Sequence, residues 1–221
     1  MAFGKKASAE PVRVEIKAPN FKINTIPIVG KSFYVTNKMT KLSRTKMHGK
    51  MAGEGAKDKT TKRPDKDFKL ESEESQHRDV EKGWVGIPAP AFRSAMIRAC
   101  SLVNVVMTEA KQCFFIEADG FDEDGVPLVR ITKGKGEYFE ALVKNSDGSS
   151  DLRARAKFAP GWEATLRVKF DADIYTPQFV ANLVERAGIT VGVGAGRPFS
   201  SKSAGCGWGT FEIKRSKEVA A

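Results

Sequence analysis

Apolar and polar positions alternate with period two at Val12-Arg13-Val14-Glu15-Ile16-Lys17, the pattern of a half-buried strand. Pro19-Asn20 bends the chain, and Phe21, Ile23 and Thr25-Ile26-Pro27-Ile28-Val29 predict a second extended segment that leaves at Gly30. Helical spacing first appears at Phe92, Ala95, Met96, Ala99 and Val103, which share one face, with prolines at the start where a missing N–H costs little. Arg93 and Arg98 fall off that face. Cys113-Phe114-Phe115-Ile116 predicts a short apolar strand, residues 119–125 its turn, and Val126 to Ile131 the returning strand. Leu166, Val168 and Phe170 then alternate with Thr165, Arg167 and Lys169, a strand whose polar face is cationic. Thr176-Pro177 reads as an N-cap followed by an N1 proline, and Phe179, Val180, Leu183, Val184 and Ala187 as a helix stopped by Gly188. Phe211 and Ile213, alternating with Trp208, Thr210 and Glu212, close the pattern as a last strand.

This order predicts an α+β fold of the ferredoxin-like, RRM-like kind. Its β-α-β-β-α-β core would be an antiparallel sheet with two helices on one face, and residues 126–131 an embellishment. The other sheet face would stay available, as it is where RNA-recognition domains bind unstacked bases. Residues 1–37 and 83–221 are expected to form one domain. Between them, residues 38–82 read as a long polar insertion after the first strands. Its basic residues recur from Lys38 and Lys41 to Lys66 and Lys69, with too few apolar residues to pack a layer. Met39, Leu42, Met47 and Met51 interrupt the charge, so part of the insertion is expected to order on a partner. An acidic patch follows at Glu71, Glu73, Glu74, Asp79 and Glu81. Residues 133–156 are polar, with Tyr138, Phe139, Leu142 and Val143 as one short element, and Arg153, Arg155 and Lys157 form a second basic cluster.

The net charge of +10 over 221 residues, with a pI near 9.5, points to an acidic partner, nucleic acid before an anionic membrane. No run reaches the length of a membrane span, and Met-Ala-Phe-Gly-Lys-Lys is not followed by an apolar signal core. A soluble, cytoplasmic protein is therefore expected. Cys100, Cys113 and Cys206 lack Cys-x-x-Cys spacing and read as buried thiols. The acidic turn at 119–125 lacks the ligand spacing and closing glutamate of a calcium loop. No metal, cofactor or small-molecule substrate is expected.

The candidate chemistry lies between Gly188 and Ile213. Glycines at 188, 192, 194, 196, 205, 207 and 209 form two clusters around Arg197 and Lys202, a permissive loop with a cationic middle. No glycine here precedes a lysine, which excludes a Walker loop, and Arg197 or Phe199 stands where a dinucleotide fingerprint needs its third glycine. Phosphates are expected at Arg197, Lys202 and the N–H groups of the loop at Gly194, Gly196, Gly205 and Gly207. Arg93, Arg98, Lys46 and Lys50 would support them, and Phe199 and Trp208 are stacking candidates. His48 and His77 are the side chains suited to acid–base work near neutral pH, but both lie in the polar insertion without a partner pattern. A purely structural glycine hairpin is the competing reading.

Three pieces together carry a family resemblance. Gly194 to Gly209 resembles the C-terminal glycine-rich loop of the RAMP superfamily, which includes the backbone subunits of CRISPR effector complexes. Ile87-Pro88-Ala89-Pro90-Ala91-Phe92-Arg93-Ser94-Ala95-Met96-Ile97-Arg98 is similar to that family's Ile-Pro-Gly-Ser-Ser-Leu-Arg-Gly-Ala helix start, with Ala89 and Ala91 replacing small polar residues. Thr25-Ile26-Pro27-Ile28-Val29 resembles its Thr-Pro-Leu-Ile segment, with an isoleucine inserted before the proline. With Phe158 and Trp162, the chain also resembles phage and prophage members of the superfamily. The resemblance implies a non-catalytic protein that binds single-stranded RNA or DNA, either as a head-to-tail homo-oligomer or filament or as a ribonucleoprotein subunit. Residues 38–82 would be its thumb. The runner-up readings are a metal-independent endoribonuclease and a phage protein-interaction module acting on a host complex.

Overall fold

The computed structural model describes residues 16–53, 67–144, 150–199 and 205–215. Its elements are β1 (Phe21–Gly30), β2 (Tyr34–Val35), α1 (Lys41–Met51), α2 (Phe68–Glu74), β3 (His77–Arg78), β4 (Val85–Pro88), α3 (Ala89–Cys100), α4 (Met107–Cys113), β5 (Phe114–Ile116), β6 (Gly120–Phe121), β7 (Pro127–Lys133), β8 (Gly136–Lys144), β9 (Ser150–Phe158), β10 (Glu163–Asp171), α5 (Pro177–Thr190) and β11 (Phe211–Ile213). The chain is a mixed α+β fold. Eight strands make one sheet in the order β11-β1-β10-β7-β4-β3, with β5 also on β10 and β6 on β7; β2, β9 and β8 make a second sheet. Every pairing is antiparallel.

The alternation read from the sequence sets which face of the main sheet is covered. Ala164, Leu166, Val168 and Phe170 of β10 are buried together with Ile26 and Ile28 of β1, whose partners across the ladder are Leu166 and Ala164. Over them lie Phe92, Ala95, Met96 and Ala99 of α3 and Val180, Leu183, Val184 and Ala187 of α5, in one continuous core. Burying each of the larger side chains contributes about 1.5–3 kcal/mol before the entropy of ordering is subtracted. Trp162 seals the end of β10, with its indole N–H donating to the Ser32 carbonyl at 3.0 Å. The α5 start is as expected, since the Thr176 hydroxyl accepts the Phe179 amide at 3.1 Å. Among the described residues, no helix is long and apolar enough to cross a membrane.

Several sequence expectations change. Gly188 does not stop α5, which runs on to Thr190. A Cβ on Gly188 would sit 2.1 Å from the Phe211 carbonyl oxygen, so this glycine lets β11 approach the helix. Strands β5 and β7 do not form a hairpin with each other. They both pair with β10, on Val168–Phe170 and Glu163–Ala164 respectively, and the polar run between them makes a hairpin loop of its own, Gly120 and Phe121 of β6 pairing with Leu128 and Pro127 of β7. Arg167 ties the base of that loop, donating to Asp119 Oδ1 at 2.7 Å and to the Ala118 carbonyl at 2.6 Å. Residues 133–156 contain most of a long hairpin, β8 with β9, not one short element.

The polar insertion is also more structured than its composition predicts. Ser72 donates to the Arg155 carbonyl at 2.8 Å, and the Thr36 and Ser75 hydroxyls lie 2.6 Å apart, each accepting from the Ala156 amide. Residues 67–82 are therefore joined to β9 by polar contacts, which a search for apolar residues does not register. Of the expected first strand, Val12 to Glu15 lie outside the described residues, and Ile16 is exposed and outside any strand. Cys100 and Cys113 are buried, which pushes both thiols up, whereas Cys206 is exposed.

Candidate nucleic-acid interface

Beyond Thr190 the chain turns back beside α3. Gly192, Gly194 and Gly196 there, and Gly205, Gly207 and Gly209 on the return, all have positive φ. The requirement is strictest at Gly209, at φ +69°, where a Cβ would lie 1.7 Å from the Val193 carbonyl oxygen; at Gly194, at φ +80°, it would lie 2.5 Å from the Val35 carbonyl oxygen. Close approach lets the loop bond to its surroundings. The amides of Val193, Ala195, Trp208 and Gly209 donate to the carbonyls of Gly209, Val35, Gly196 and Phe33. Those four N–H groups are engaged within the fold; they are not the amides of Gly194, Gly196, Gly205 and Gly207 that the sequence offers to phosphate. Lys202 lies outside the described residues.

What the loop and α3 enclose is a cleft of about 390 Å³. Pro90, Ala91, Ser94 and Arg98 line one wall, and Val191, Gly192, Arg197 and Phe199 the other. The Arg98 guanidinium lies 4.2 Å from the Phe199 ring centroid, and Phe199 is 44% exposed. Such a cation–π contact at an exposed site is worth about 0.5–1 kcal/mol and holds both groups in fixed orientation. Arg197 braces the loop, donating from Nε to the Phe199 carbonyl at 3.3 Å and from Nη1 to the Gly194 carbonyl at 3.4 Å. Among the described residues, neither a carboxylate nor a histidine lines the cleft. The wall thus offers positive charge and one aromatic face, suited to an anionic group joined to a flat one.

The other expected contributors are placed elsewhere. Arg93 donates to the carbonyls of Phe114 and Lys111 and lies over the Phe115 ring at 5.2 Å, away from the cleft. Arg98 lies five positions further on, which on an α-helix is a rotation of about 140°. Lys46 is exposed on α1, a helix attached at the turn after β6 and not at the cleft. Lys50 belongs to α1, but its side chain lies outside the described residues. His77, which lacks a partner pattern in the sequence, has a partner in the fold: its Nδ1 lies 2.7 Å from Asp122 Oδ2, and both residues are buried. Burial alone would raise the Asp122 carboxyl, but hydrogen bonds from His77 and the Val126 and Asp124 amides hold it below the usual carboxylate range. His48 is exposed on α1.

Two aromatic–cation groups were only half visible in the sequence. Beside the glycine loop, Lys157 Nζ sits 4.7 Å from the Phe33 ring and 4.5 Å from the Phe139 ring, and Phe139 meets Trp208 edge-on at 5.6 Å. Trp208 is half-buried against Gly196, where a Cβ would lie 2.4 Å from its ring. The basic cluster of Arg153, Arg155 and Lys157 was legible, but the rings around Lys157 come from distant segments. On the open sheet face, Phe21 and Phe115 stand edge to face at 6.0 Å, with Lys169 Nζ 5.2 Å from the Phe21 ring.

A chain of Type III-B Cmr-beta, in its cryo-EM structure bound to cognate target RNA, is similar to this one with a TM-score of 0.51 at 14% identity. The match covers 88% of this chain and 59% of that chain. No family model and no curated protein matches the sequence. The likeness at this identity is one of fold, and it extends over most of a chain that spans 59% of its neighbour's length.

Proposed function

We propose that this chain is a non-catalytic RNA-binding subunit of the RAMP kind, with the cleft between α3 and the glycine loop as its binding site. In this reading the core is ferredoxin-like: β1, α3, β5, β10, α5 and β11 follow the β-α-β-β-α-β order, with strands arranged β11-β1-β10-β5. The observation that carries the function is the Arg98–Phe199 pair in a cleft that no acidic side chain lines among the described residues. A phosphate meets Arg98, with Arg197 behind it, while an unstacked base lies against the exposed ring of Phe199. The fold it shares with a chain of an RNA-bound complex supports RNA over other polyanions. In the same proposal the subunit joins further copies or other subunits along the strand.

The test is a titration of short single-stranded RNA and DNA at low salt, by fluorescence anisotropy, with wild type and Arg98→Glu. RNA binding that weakens in the variant and falls steeply with salt is expected. Absence of binding to either nucleic acid overturns the reading. Light scattering behind size exclusion, with and without a long oligonucleotide, tests assembly; a protein that stays monomeric at saturation removes the repeating-subunit part.

A further inference from the structure

The turn that the sequence offered as a poor calcium loop has two sides in the structure. Inward, Asp122 is buried and holds His77, and its Oδ1 also accepts the amides of Asp124 and Val126, both at 2.9 Å. This anchored side fixes the position of Asp124, which points outward. There Arg44 of α1 docks on it in two parallel bonds, Nη1 to Oδ1 and Nη2 to Oδ2, each 2.6 Å. Fork-to-fork geometry of this kind is how arginine binds carboxylate and phosphate alike.

Little else holds the body of α1. Its base is secured, since Thr40 is buried, Lys38 pairs with Glu123 at 2.8 Å and the Lys41 amide donates to Glu74. Beyond that base, every residue from Lys41 to His48 is exposed, including Leu42 and Met47, so apolar burial does not fasten the helix. Among the described residues, Arg44–Asp124 is the one side-chain tie from the body of α1 to the rest of the chain. Exposed ion pairs are individually weak and are screened by salt. The helix sequence Lys-Leu-Ser-Arg-Thr-Lys-Met-His-Gly-Lys-Met contains four cations and no acid.

We infer that Asp124 is an intramolecular stand-in for a phosphate group: it latches the cationic helix α1 onto the body, and a single strand of RNA displaces it, adding Arg44 and its neighbours to the bound surface. This inference rests on the RNA-binding reading above. The occupant is a polyanion because only an acceptor of the same bidentate kind replaces Asp124 at Arg44, and because the released helix carries charge of one sign. The apolar residues of α1 are too exposed and too scattered among lysines to form a protein-docking stripe.

The test compares Asp124→Asn with Glu109→Gln, an exposed carboxylate on α4 whose removal changes net charge equally, and with the double variant Arg44→Gln/Asp124→Asn. Two readouts are taken on the full chain: the rate of limited trypsin cleavage within residues 41–50 without RNA, and affinity for a uridine oligonucleotide of about 30 residues at fixed salt. Asp124→Asn is expected to be cut faster than wild type and to bind roughly two- to fivefold more tightly than Glu109→Gln. The double variant should be cut as fast as Asp124→Asn but lose its gain in affinity. Equal affinity of Asp124→Asn and Glu109→Gln overturns the latch, as does unchanged cleavage. If wild type binds the oligonucleotide and Arg98→Glu does not, such a result sinks the latch alone; if wild type does not bind, the function itself fails first.

Discussion

Arg98 and Phe199 meet at 4.2 Å although one ends α3 and the other follows α5, 101 positions later in the chain. Their contact depends on α3 and α5 packing side by side over the sheet, so any change in that packing also moves the cleft.

Replacing Arg98 with Glu is expected to lower RNA affinity by about tenfold or more, and to reduce the magnitude of the log–log salt slope by about 0.7–1. The same reversal at Lys22, an exposed residue of β1, should do less. Anisotropy titrations at three salt concentrations measure both quantities. Equal effects at the two positions would leave only net charge as the determinant.

Phe199→Ala should weaken binding by about 1–3 kcal/mol if a base stacks on the ring, with the salt slope unchanged. A slope that falls along with the affinity would mean that the ring acts by holding Arg98 in place.

Gly188→Ala separates two readings of one residue. By helix propensity alone the change should stabilise α5 by about 1 kcal/mol. Because the added methyl carbon would meet the Phe211 oxygen at 2.1 Å and its ring at 2.7 Å, a loss of about 1–3 kcal/mol is expected instead. Urea denaturation gives the sign directly.

His77→Ala leaves the buried Asp122 carboxylate without its side-chain partner. Breaking a buried pair typically costs roughly 3–5 kcal/mol, and the two remaining amide donors place this one toward the lower end. The loss should appear in the melting temperature near neutral pH, whereas His48→Ala, on exposed α1, should leave it unchanged within about 0.5 kcal/mol.

Acid stability carries the same signature. The folded-state pKa of Asp122 is depressed, so the stability it contributes is fully present above the ordinary aspartate range, near pH 3.9, and is lost as pH falls through the depressed value. Thermal melts from pH 5 down to pH 2 should therefore show a decline in wild type that is shallower in Asp122→Asn. Parallel curves would remove Asp122 as its source.

The strands and helices that build the core were legible because their signals are local. Leu166, Val168 and Phe170 mark one face of a strand whatever lies opposite, and Thr176-Pro177 starts a helix through its own hydroxyl and ring. The loop glycines were legible for a similar reason, since positive φ is a property of single residues. Arg98, Arg197 and Phe199 could be named as candidates, but that Arg98 enters the cleft and Arg93 turns from it follows from where α4 and β5 pack against α3. The hairpin β8–β9 and the segment 67–82 were missed because Ala154, Ala156, Ser72 and Ser75 are small or polar. Ser72 and Ser75 bond to backbone groups of Arg155 and Ala156, 83 and 81 positions distant, and the Ala156 carbonyl accepts from Thr36, 120 positions before it. Side-chain periodicity reports which face of an element avoids water. Only the assembled backbone decides which donor finds which acceptor, and so which arginine, amide or carboxylate remains available for a ligand.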